Sequence, residues 1–190
     1  MKSTLEITDE TLFRGCLAKN RSMQNAVYEK YASKMYALCL RYVKEAAIAE
    51  DVLIIGFMKV FDRIHQFKST GSFGGWIRRI MVNECLMYLE KEKNFYREIG
   101  IDSILPPQVQ TPPSDELDVE DLMKLINSLP VGYKTVFNLY AIEGFSHHEI
   151  ADKLKISENT SKSQLSRARS LLQKMIKTKA EKESHPLMYA

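Results

Sequence analysis

The chain has 190 residues, of which 45% are apolar and 27% charged, with a formal net charge of +3. That apolar share supports one ordinary core or two small ones and excludes a disordered chain. No segment approaches the roughly 18 consecutive apolar residues of a membrane helix, so no membrane span is expected.

The N-terminal stretch MKSTLEITDETLF is too acidic and too interrupted for a secretory signal, and a cytoplasmic protein is expected. Ser22 is placed to cap a helix in which Val27, Tyr31, Met35, Leu38 and Tyr42 recur at helical spacing. After a break near Lys44, a second helix is predicted over AAIAEDVLIIGFMKVFDRI, with Ala49, Leu53, Gly56, Val60 and Ile64 as its buried stripe. Ile54 and Ile55 then lie more than about 100° from the centre of that stripe. Two readings follow: a helix buried on two sides, or an apolar patch kept for another protein.

Gly71, Gly74 and Gly75, with Ser69, Thr70 and Ser72, predict a flexible loop, after which Trp76 opens a helix bearing Arg78, Arg79 and Asn83. Aromatic and cationic side chains interleave here, which suits unpaired nucleic acid: bases stack on rings while Arg and Lys hold the backbone. Phe67, Phe73 and Trp76 could equally pack the loop down. Cys16, Cys39 and Cys85 are odd in number, widely spaced and inside apolar helical patterns, so buried reduced thiols are expected rather than a disulfide or a metal site.

Charge is unevenly spread. Residues 1–93 carry 15 basic and 11 acidic side chains, 94–121 carry 1 and 7, and 122–190 carry 11 and 6. The acidic stretch also holds four of the six prolines, between Pro106 and Pro113, and reads as a linker over 94–117. Two small basic domains, 1–93 and 118–190, on an acidic tether suit a polyanion gripped at two places.

In the C-terminal block Ser146 and Glu149 form an S-x-x-E capping box for a helix through Ile150, Ala151 and Leu154. Ser157 then caps a second helix after the turn KIS, and so short a connection makes a helix-turn-helix. Leu165, Ala168, Leu172 and Met175 are spaced to pack inward. Asn159, Thr160, Lys162, Ser163, Gln164, Ser166 and Arg167 remain near the N-terminal half, where they can read base edges and hold phosphates. His147 and His148 are adjacent and point about 100° apart, so they cannot share a metal. No carboxylate pair, Cys/His cluster or phosphate-binding loop has catalytic spacing, and neither an enzyme nor a cofactor site is expected.

Together the segments AEDVLIIGFMKVF, GSFGGWIRRIMVNECLMYL and LPVGYKTVFNLYAIEGFSHHEIADKLKISENTSKSQLSRAR resemble, in that order, regions 2 and 4 of the extracytoplasmic-function sigma factors. The resemblance implies an all-α chain of two small helical domains joined by a Pro-rich acidic linker. It further implies that region 2 binds the polymerase core at its clamp and captures melted bases of the −10 element, through candidates Lys68, Phe73, Trp76, Arg78, Arg79 and Asn83. Region 4, positioned on the polymerase flap, would insert its recognition helix into the −35 major groove. An anti-sigma factor belongs among the partners the resemblance admits, and association with the nucleoid would accompany activity. One departure stands out: where the family usually carries a Gln-Glu pair after AED, this chain has Ile54 and Ile55, which leaves Asp51, Ile54 and Ile55 as the candidate polymerase contacts. Extended at about 3.3 Å per residue, the linker would reach roughly 80 Å, against about 70 Å for two turns of DNA. The competing reading is a helix-turn-helix regulator with an N-terminal dimerisation or sensing domain.

Overall fold

A computed structural model of the chain describes the backbone of residues 8–98 and 119–184, and the side chains of 8–93 and 121–178. The described residues are helical with short connections and contain no strand. Two compact units form, Met1–Gly100 and Ile101–Ala190.

The first unit comprises α1 (Asp9–Leu17), α2 (Arg21–Tyr42), α3 (Ala46–Asp62), a 3-10 turn (Ile64–Gln66) and α4 (Phe73–Glu98). Val27, Tyr31, Met35, Leu38 and Tyr42 are all buried on α2, as their spacing predicts. The cap differs from expectation. Asn20, not Ser22, starts α2, because its Oδ1 accepts from the amides of both Ser22 and Met23, at 2.9 and 3.2 Å. The expected stripe is buried and is joined by Val52 and Phe57, but α3 ends at Asp62, so Ile64 of that stripe lies in the 3-10 turn that follows.

The join between α3 and α4 is tight. A Cβ on Gly56 would lie 2.2 Å from Met81 Sδ, so only glycine lets the Met81 side chain approach this closely. One turn further on, Lys59 Nζ donates to Glu84 Oε2 at 2.6 Å in a largely enclosed ion pair. One turn along α4 from Met81, the thiols of Cys39 and Cys85 are hydrogen-bonded, a meeting across 46 positions that linear spacing cannot show. Neither is in a disulfide and both are buried, as is Cys16.

Helix α1 closes the unit over an aromatic cluster. Leu12 and Cys16 are buried, and the Phe13 ring meets Phe67 and Phe73 at centroid distances of 5.1 and 6.1 Å. At its N-terminus Asp9 accepts from Tyr31 Oη at 2.7 Å and from Lys30 Nζ at 2.8 Å. Burial alone would raise the Asp9 pKa, but those two hydrogen bonds and the Lys30 charge together hold it below its ordinary value. Burial and the Asp9 carboxylate push the Tyr31 hydroxyl far above its ordinary range.

The second unit comprises α5 (Val119–Ser128), α6 (Val131–Phe137), a π-helical turn (Asn138–Ile142), α7 (His147–Leu154) and α8 (Glu158–Ser184). Leu125, Ile126 and Leu129 from α5 and its end pack against Ala168 and Leu172 of α8, with Met175 partly buried beside them. Pro130 stops α5 and caps α6. The expected linker over 94–117 needs correction at its start: residues 94–98 continue α4. Its proline-bearing part lies outside the described residues.

Candidate nucleic-acid interface

The helix-turn-helix is built as its sequence predicts. Ser146 Oγ accepts from the Glu149 amide at 3.2 Å, while Glu149 Oε2 accepts from the Ser146 amide at 2.9 Å, which closes the capping box of α7. Lys155 then takes a left-handed conformation (φ 54°), and the Ile156 amide returns to the Ala151 carbonyl at 3.1 Å. Ser157 caps α8 by accepting from the Thr160 amide at 3.0 Å.

On α8, Leu165, Ala168 and Leu172 are buried. Asn159, Lys162, Ser163 and Ser166 fall at i, i+3, i+4 and i+7 and form one exposed row, with Arg167 exposed at its edge. Two expected members leave that row. Thr160 is half-buried, its hydroxyl 2.8 Å from the capping Ser157 hydroxyl, and Gln164 is half-buried beside Gly132 of α6. Lys162 lies 3.7 Å from Glu158 on the surface, a pair too exposed to hold the ammonium away from a phosphate.

In the first unit the predicted loop is shorter than expected, because α4 opens at Phe73 rather than Trp76 and takes Gly74 and Gly75 into its first turn. A Cβ on Gly74 would come within 2.8 Å of the Tyr31 ring, so the glycine here serves close packing rather than flexibility. Phe73 is 2% exposed, enclosed by Phe13, Tyr31, Phe67 and Trp76, and is corrected from a base contact to core. Lys68 is exposed just before the helix. Trp76, half-buried, and exposed Arg79 and Asn83 share one face at i, i+3 and i+7. Arg78 is half-buried and about 100° round from Arg79, so it does not join them.

A third surface lies on α3. Ile54 and Ile55 are 52% and 47% exposed, which excludes the reading of a helix buried on both sides. Asp51 precedes them on the same face. Met58, 66% exposed, completes an i, i+3, i+4, i+7 row and was missed in the sequence, although that spacing was there to find. Tyr28 of α2 and Met87 of α4 are also exposed; the Tyr28 ring meets Phe57 at a tilt of 58°, and Met87 Sδ is 3.9 Å from Lys59 Nζ.

A helix-turn-helix with a polar, cationic row, following a separate helical unit with its own exposed rows, defines a two-domain DNA-binding transcription protein. Comparison with known families makes this specific: sigma-70 region 2 matches residues 27–95, and sigma-70 region 4 matches residues 120–172. Among similar proteins, the ECF RNA polymerase sigma-E factor of Haemophilus influenzae is 27% identical over 186 residues, covering 90% of this chain and 96% of the relative. The ECF RNA polymerase sigma factor SigM of Bacillus subtilis is 28% identical over 151 residues, covering 77% and 90%. The sigma factor RpoE of Bartonella quintana, solved with the anti-sigma factor NepR, shares the fold with a TM-score of 0.54 at 23% identity, over 80% of this chain and 96% of that one. CnrH, solved with the cytosolic domain of CnrY, shares it with a TM-score of 0.52 at 17% identity, over 90% and 97%. The chain belongs to the extracytoplasmic-function sigma factors of the sigma-70 family, proteins that direct RNA polymerase to promoters. A regulator with an N-terminal dimerisation domain is not favoured, because the N-terminal unit is itself a sigma region.

Proposed function

We propose a division of labour along the chain, with residues 1–98 holding the polymerase and opening DNA, 99–117 acting as a tether, and 118–190 reading the upstream promoter element. In this reading Asp51, Ile54 and Ile55, extended by Met58, dock on the polymerase clamp. Lys68, Trp76, Arg79 and Asn83 receive the melted −10 strand. The α8 row of Asn159, Lys162, Ser163 and Ser166, with Arg167, enters the −35 major groove.

The observation that carries the reading is the α8 row: a polar, cationic face opposite the buried Leu165–Ala168–Leu172 face, at the N-terminal half of the second helix of a helix-turn-helix. Base contacts from such a row supply specificity and its cations supply salt-dependent affinity. The protein performs no hydrolysis; its work is binding energy spent on orienting and opening DNA. It acts in the cytoplasm, on the nucleoid when active, and an anti-sigma factor that covers its polymerase-facing rows would keep it idle.

The test is retention of the full chain by polymerase core enzyme, followed by run-off transcription from a library of promoter fragments. Selective transcripts that require the added chain are expected. Failure of core enzyme to retain the chain at moderate salt would remove the proposal.

A further inference from the structure

His147 takes no part in the interface described above, yet three segments of the second unit meet on its imidazole. Its Nδ1 lies 2.9 Å from the Ser161 hydroxyl of α8. Its ring stacks on Tyr140 of the π-helical turn, with centroids 4.5 Å apart and planes 23° from parallel. The Arg169 guanidinium of α8 covers the Tyr140 ring at 5.7 Å. Ser161 is completely buried and sits between Thr160 and Lys162, on the side of α8 opposite Asn159.

We propose that His147 is a positioning residue for promoter reading: its hydrogen bond to Ser161 fixes the rotation of α8 about its own axis. This rests on the reading of the Asn159, Lys162, Ser163 and Ser166 row as the promoter-facing surface. Apolar packing by Leu165, Ala168 and Leu172 fixes how closely α8 approaches its neighbours, but hydrophobic contact is not directional and tolerates a small roll. A hydrogen bond is directional. With side-chain tips about 5–6 Å from the helix axis, a roll of about 20° moves them by roughly 2 Å, enough to break a bidentate contact with a base edge. Arg169 on Tyr140 adds a second attachment about 12 Å along the axis from Ser161, at 1.5 Å per residue. Two attachments to one Tyr140–His147 column hold both the roll and the tilt of the reading helix.

The experiment uses the full chain assembled with core polymerase and two DNA probes: a fragment selected by that holoenzyme from random sequence, and the same fragment with its upstream element shuffled. The quantity read is the ratio of the two affinities. Ser161→Ala and His147→Ala are each expected to lower the ratio by about fivefold, the scale of one net hydrogen bond, with affinity for the shuffled probe changed less than twofold. His147→Asn, which places an amide near the position of Nδ1, should recover most of the ratio beside Ser161 and none of it beside Ser161→Ala. A ratio within twofold of wild type for Ser161→Ala overturns the proposal, as does an equal loss on both probes or a His147→Asn variant no better than His147→Ala. A wild-type ratio near one instead removes the reading of the α8 row on which the proposal stands.

Discussion

Replacing Ile54 and Ile55 together by Ala separates the binding role of α3 from its structural role. About half of each side chain is exposed in the free protein, 52% and 47%, so a partner that covers them contributes only the remaining half of their burial. Full burial of an isoleucine is worth about 1.5–3 kcal/mol, which leaves roughly 1.5–3 kcal/mol for the two exposed halves together. Alanine keeps the Cβ contact, and at 1.4 kcal/mol per factor of ten the affinity for core enzyme should fall at least about tenfold. The free protein should lose far less than a truncated core would, because core isoleucines cost about 2–5 kcal/mol each on truncation and alanine is the better helix former. Fluorescence titration of labelled chain with core enzyme, beside thermal melting of the free chain, reads both quantities. Unchanged polymerase affinity with a collapse in melting temperature would refute the reasoning and return the clamp contact to Asp51 and Met58.

On α8, Lys162→Ala should weaken promoter binding on all sequences alike and reduce the slope of log affinity against log salt by about 0.9, one phosphate's share, as salt titration of holoenzyme binding will show. Arg167→Ala should weaken it too, with helical content unchanged by circular dichroism; intact binding of either variant at moderate salt sinks the assignment of that face. On α4, Asn83→Ala should leave a polymerase-bound closed complex but lower permanganate reactivity of the melted strand, and a pre-melted template should restore it; equal loss on both templates would mark a structural role. The Asp9 carboxylate has its folded pKa below its ordinary 3.8, so its stabilisation of α1 is full above that value and is lost as pH falls through the lowered one. The melting-temperature gap between wild type and Asp9→Asn should therefore be constant near neutrality and close under acid; a gap that widens under acid contradicts the sign.

Much of the fold was legible in the sequence because helical burial repeats. The α2 row from Val27 to Tyr42 and the α8 row from Leu165 to Met175 are set by a period that any long amphipathic helix must keep. Ends are less legible. Asn20 and Ser22 are both good caps, and only the geometry of two amides on one Oδ1 chooses between them. Gly74 and Gly75 read as loop by propensity, while the close approach of Tyr31 draws them into α4. The site was legible where exposure follows from phase, as for Ile54, Ile55 and Lys162. It was not legible where tertiary neighbours decide: Phe73 disappears among four rings, Gln164 turns toward α6, and His147 finds Ser161 across 14 positions through a turn whose dihedral angles no periodicity encodes.

The seam between α3 and α4 has a mechanical consequence. Met81 fills the space left by Gly56, and the Lys59–Glu84 pair spans the same seam, so neither helix can slide or turn against the other without emptying a filled hole or parting two charges. Close-packed interiors of this kind transmit displacement rather than absorb it. Helix α4 is further held at its first turn by Tyr31 against Gly74. A load applied at the exposed row of α3 is therefore passed across the seam to the helix that carries Trp76, Arg79 and Asn83, as force on one jaw of a caliper moves the other. Whatever surface seats the first row also sets the aim of the second.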